Sequence, residues 1–148
     1  MVKKIFVAIV IAFSTVSISS CSSTPEVQVE SAPKTGIIIE SAWISATDDS
    51  GTSYVYGAIT NRLNATFKLT GGRAESGAKA ILTQVIDGKE TKVSDGVEIH
   101  VAQTLELSET HKRLTISHLA QPISYGDKVQ FTFNFKGAAP QTVVLTAK

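Results

Sequence analysis

The sequence predicts an all-β single domain, a sandwich or small barrel, and three observations predict it. Short runs rich in β-branched and aromatic residues recur across residues 37–147. Turn-forming residues interrupt them about every eight to twelve positions, the spacing of small β-sandwiches. Beyond position 36, no window of about twelve residues keeps a helical period with caps.

The elements follow in order. Ile37 to Ile44 is a mostly apolar run with many β-branched residues, and Tyr54 to Asn61 alternates more loosely. Ala65 to Leu69, Lys79 to Ile86 and Val97 to Val101 are further short strands. Two later segments alternate cleanly, and strict alternation puts successive side chains on opposite faces of a strand. In Arg113-Leu114-Thr115-Ile116-Ser117, Leu114 and Ile116 share the apolar face. Val129, Phe131, Phe133 and Phe135 do the same after the Tyr125-Gly126-Asp127 turn. Gln141 to Ala147, entered through Pro140, is the last strand. Asp48-Asp49-Ser50-Gly51, Gly71-Gly72, Asp87-Gly88 and Asp95-Gly96 are the other turn signals.

The first 20 residues belong to a different class. Lys3 and Lys4 precede an apolar run, Ile5 to Phe13, and a small polar exit, Ser14 to Ser20. The run is about half the roughly 20 residues that cross a bilayer, so it reads as a secretory signal. Ile18-Ser19-Ser20-Cys21 resembles the bacterial lipobox, which implies a lipidated Cys21 as the mature N-terminus. The expected organisation is a signal at 1–20, a lipidated cysteine and flexible tether at 21–36, and one folded domain at 37–148. The expected location is the outer face of a bacterial membrane, inner or outer.

Composition then excludes several functions. A net charge of +1 gives no basis for a nucleic-acid partner, which needs a clustered basic face. Cys21 is the one cysteine, so once lipidated it leaves no disulfide. Met1 is the one methionine and leaves with the signal, so the mature chain has no thioether side chain. Ser50 and Ser76 lack a nucleophile elbow, and no placed Ser, His and Asp suggests a triad, so no enzyme is expected. Asp48-Asp49-Ser50-Gly51 lacks the alternating oxygen ligands and closing glutamate of a calcium loop, and reads as a tight turn. Trp43, Tyr54 and Tyr56 read as sheet-face packing more than as a ligand-stacking patch.

The segment Val97 to Asp127 resembles the closing half of the PCu(A)C family of extracytoplasmic copper chaperones. Glu98-Ile99, Thr104-Leu105-Glu106-Leu107, Leu114, Leu119, Pro122 and Gly126-Asp127 carry that resemblance, in order and without a gap. Ala42-Trp43-Ile44 and Tyr54 to Arg62 resemble the family's opening strands. The resemblance implies a cupredoxin-like (immunoglobulin-like) Greek-key β-sandwich. It also implies copper as cargo, with a respiratory oxidase in assembly as the envelope partner.

The family's Cu(I) ligands are two histidines and two methionines, and this chain does not keep them. The positions that match are Thr83 (Ala80 in the other register), Thr91 (Val93 in the other register), Arg113 and Thr115. Soft thioethers and imidazoles suit Cu(I), whereas a guanidinium repels any cation. His100, His111 and His118 are the histidines left for a weak Cu(II) or Zn(II) site. Their spacing matches no compact metal motif, and surface or loop positions are the simpler reading. A second function class is an envelope interaction module without metal. It would use His111, Lys112, Arg113, Thr115 and Ser117 as a polar, cationic patch.

Overall fold

A computed structural model of the protein describes residues 35–148; Cys21, the signal and the tether lie outside them. Ten strands form: β1 (Gly36–Ile44), β2 (Ser53–Arg62), β3 (Phe67–Ala74), β4 (Lys79–Ile86) and β5 (Lys89–Lys92). The remainder are β6 (Val97–Ile99), β7 (Thr104–Leu107), β8 (Lys112–Ile116), β9 (Lys128–Lys136) and β10 (Gln141–Thr146). No helix appears among the described residues. The sheet runs in the order β1-β2-β7-β8-β4-β3-β9-β10, with β5 added to β4, β6 added to β3, and β2 also paired to β8. Its path bends until the two end strands meet, where Ile44 bridges Ala147. The Lys148 amide donates to the Ile44 carbonyl at 2.9 Å to secure that closure. The architecture is thus an all-β, nearly closed sandwich, as the alternating runs predict.

One core fills the inside. Ile44, Val55, Ile59, Phe67, Leu69, Leu82, Ile99, Leu114, Ile116, Phe131, Phe133 and Leu145 are at most 2% exposed. Each such side chain contributes about 1.5–3 kcal/mol of transfer free energy. Leu114 and Ile116 face this core, as their alternation requires. Phe131 and Phe133 meet edge to face at 4.9 Å between ring centroids, and Phe67 meets Phe135 at 5.1 Å.

Two expectations fail. Gly71-Gly72 is not a turn; both glycines lie within β3. A Cβ on Gly72 would sit 2.4 Å from the Phe131 ring, and one on Gly71 would sit 2.7 Å from the Ala80 carbonyl oxygen. The glycines let the core ring and the neighbouring strand approach, which is the other reason to find glycine in a strand. The third strand therefore runs on to Ala74 instead of ending at Leu69. β5 has no apolar signal because all four of its residues are exposed. It forms because Asp87 and Gly88, at φ 51° and 73°, close a two-residue hairpin with β4.

The molecule has two ends. The entry end holds the start of β1, where Gly36 pairs Arg62, and the loops at 63–66, 100–103 and 137–140. The far end holds the loops at 45–52, 75–78 and 117–127. Asp48 builds the first far loop: its Oδ1 accepts from the Ser50 amide and hydroxyl and from the Thr52 amide, at 2.6–2.9 Å. The Ser50 hydroxyl first, then the Thr52 amide, hold this exposed carboxyl below its usual range.

Candidate functional site

β4, β5 and β8 bring three of the sequence-predicted positions together on the outer face of the sheet. In the β4–β8 ladder Thr83 lies opposite Arg113 and Ile81 opposite Thr115. The Thr83 and Thr115 hydroxyls meet at 2.8 Å, and both residues are buried. The Thr115 hydroxyl donates to Glu90 Oε1. Because a hydroxyl has one proton, Thr83 is the donor to Thr115, and the chain runs Thr83 to Thr115 to Glu90. Arg113 Nη2 donates to the other carboxylate oxygen, Glu90 Oε2, at 3.2 Å.

Aromatic rings extend this cluster across β2 and β1. The Arg113 guanidinium lies 4.0 Å from the Tyr54 ring centroid, within cation–π range. Tyr54 and Tyr56 follow at 6.4 Å, and Trp43 stacks on Tyr56 at 4.4 Å. Lys148 Nζ caps the Trp43 ring at 5.7 Å. Trp43, Tyr54 and Tyr56 thus pack on the sheet face beneath covering cations. Burial, then the charge of Arg113 working against it, leaves both tyrosine hydroxyls above their usual range.

Glu90 is the residue that sequence reasoning missed. Burial pushes its carboxyl up, but the nearby Thr115 and Thr83 hydroxyls and the hydrogen bond and charge of Arg113 outweigh it and hold it below its usual range. Arg113, partly desolvated, is raised by Glu90. The Arg113 Nε is buried with no hydrogen-bond partner among the described residues. The signal for Glu90 was present in Asp87-Gly88. A two-residue hairpin fixes the register as Val85 opposite Glu90 and Gln84 opposite Thr91. Opposed residues share a face, so Glu90 joins Thr83 and Thr91 takes the other face. There the Thr91 hydroxyl donates to the Gln84 carbonyl at 3.2 Å. The other-register positions, Ala80 and Val93, both pack against the core.

The chemistry of this set does not fit Cu(I). It offers two hydroxyls and a carboxylate, all hard oxygens, together with a permanent cation already paired to that carboxylate.

The remaining candidates lie apart. His100 sits in an entry-end turn with Nδ1 3.2 Å from the Thr66 hydroxyl, and His111 has Nδ1 2.9 Å from the Thr110 hydroxyl. His118 is exposed at φ 60°. His111 and His118 flank opposite ends of five-residue β8, which spans about 16 Å at the usual rise. Among the described residues, no group of three or more His, Cys, Asp and Glu side chains is placed to hold a metal. Of the patch residues, Arg113 and Thr115 are engaged with Glu90, and strand alternation puts Lys112 on the other face. Ser117 and His118 line an open hollow of about 300 Å³ with Lys79, Ile81 and Thr115.

Solved structures of the same shape give the class first: this is a PCu(A)C-type β-sandwich. The apo PCuAC domain from PmoF1 superposes with a TM-score of 0.64 at 17% identity, covering 78% of this chain and 96% of that one. The copper-bound PCuAC domain from PmoF2 gives 0.62 at 14%, covering 78% and 95%. The solution structure of apo-DR1885 from Deinococcus radiodurans gives 0.52 at 17%, covering 100% and 96%. At these identities the likeness establishes the fold. Residues 37–147 match the family model of the putative LpqE-like lipoproteins, and the chain belongs to that family. Among curated proteins, none matches.

Proposed function

We propose that this is an exported, lipid-anchored protein of the bacterial envelope that works as an interaction module and does not carry Cu(I). Membership of a lipoprotein family supports the anchor at Cys21, in line with the lipobox-like Ile18–Cys21. Likeness to a copper-bound PCuAC domain supports descent from copper handling. The observation that carries the reading is the Glu90–Arg113–Thr115–Thr83 network, which fills the face where the family's ligands would stand. It makes this face an ion-paired one, and among the described residues no thiol or thioether stands near it. A protein partner of the envelope is the natural occupant of the outer face, where Ile81 is 41% exposed beside the hollow at Thr115.

The test is an anaerobic Cu(I) titration of the mature protein against a competing chelator. Micromolar or weaker affinity is expected; nanomolar or tighter binding overturns the reading. In parallel, Arg113→Glu is expected to remove envelope partners that co-purify with the native protein. Unchanged co-purification would leave this face without a docking role.

A further inference from the structure

The entry end carries an uneven set of charges. Arg62 closes β2 and is exposed, and Lys68 and Lys136 lie directly opposite each other on β3 and β9. Among residues 60–68, 98–103 and 134–141, Glu98 is the one carboxylate, 3.2 Å from Lys68, and His100 adds a titratable ring. Glu98 pairs with Lys68, so the excess positive charge of this end is carried by Arg62 and Lys136.

An apolar tip stands among these cations. Val101 is 52% exposed in the turn from His100 to Gln103, closed by the Gln103 amide on the His100 carbonyl at 2.9 Å. Ala102 adopts φ 62° there, a conformation that favours glycine. Buried Asn61 holds the turn rigid. Its carbonyl accepts from the Ala102 amide and its amide donates to the Gln103 carbonyl, both at 2.9 Å. Its side chain donates to the Ile99 and Ala65 carbonyls at 2.8 and 2.9 Å. A fixed, strained turn that pushes a valine into solvent between cations suits an interface of charge and hydrocarbon.

We propose that this end rests on the anionic headgroups of the membrane that holds the chain, with Arg62 and Lys136 as electrostatic contacts and Val101 as the inserted tip. The inference rests on the export and anchoring reading, because the segment after Cys21 leads into Gly36 at this end. Each Lys or Arg near an anionic bilayer strengthens binding about fivefold. Tethering keeps the local concentration at about the millimolar level, so a weak contact is enough to orient the domain. Tyr54 pairs Thr115 toward the far end of β2 and β8, so this pose leaves that part of the ion-paired face within reach of partners.

The experiment uses the mature chain with Cys21→Ser, which removes the acyl group, sedimented with vesicles. Phosphatidylglycerol-containing vesicles are compared with pure phosphatidylcholine. Binding is expected on the anionic vesicles alone and should weaken as salt rises. Arg62→Glu with Lys136→Glu should lower it more than tenfold, and Val101→Asp about threefold, with unchanged circular dichroism. Equal binding to both vesicle types, or unchanged binding of the double variant, overturns the proposal. Anchoring is read separately, by palmitate labelling that Cys21→Ala abolishes, so failure of one result does not imply failure of the other.

Discussion

The two faces of β8 have been treated in opposite ways. Leu114 and Ile116 point inward, fully buried, in the pattern that carries the family's scaffold. Arg113 and Thr115 point outward and bind Glu90. A strand's period of two makes this separation possible, since alternate residues answer to different surroundings. The inner face is constrained by close packing, where even a methylene is felt. The outer face is constrained only to satisfy its own polar groups. Substitutions confined to one side of a few strands can thus alter a face's chemistry while the fold is kept.

Grafting ligands back is the strongest way to break this comparison. Thr83→His, Glu90→Met, Arg113→His and Thr115→Met together place soft donors on one face and should raise Cu(I) affinity by orders of magnitude in a chelator titration. The same set with Thr91→Met in place of Glu90→Met should gain far less, because position 91 lies on the other face. Next in size is the inner face, where Leu114→Ala should cost about 2–5 kcal/mol in urea unfolding. Arg113→Ala on the outer face should cost less, about 1 kcal/mol, because Glu90 is exposed and keeps its Thr115 hydrogen bond. The smallest effect is one of pH. Glu90 has its carboxyl held below 4.5 in the fold, so its contribution is complete above the unfolded carboxylate's pKa. That contribution is lost as pH falls through the folded value, so Glu90→Gln should flatten the acid limb of the stability curve below about pH 4.5.

Patterning made the apolar strands legible and left the charged one hidden. Val129, Phe131, Phe133 and Phe135 declared β9 through strict alternation, whereas Lys89-Glu90-Thr91-Lys92 declares nothing by hydrophobicity. Its strand is imposed by the Asp87-Gly88 hairpin and by pairing to β4. That is why the outward setting of Arg113 and Thr115 could be read from the chain while the carboxylate that binds them could not. Gly71-Gly72 misled for a related reason: glycine marks both turns and close approaches, and only the Phe131 ring decides between them. The Lys68–Lys136 pairing likewise depends on which strands become neighbours, which local sequence does not encode.

The bridge between Ile44 and Ala147 also bears on timing. It joins the first strand to the end of the last, about 100 residues away in sequence, and such distant contacts form late. A chain made from its N-terminus cannot make this closure until β10 has been synthesised. The seam is thereby the step that waits for the whole domain, and every strand between its two halves is in existence before it can close.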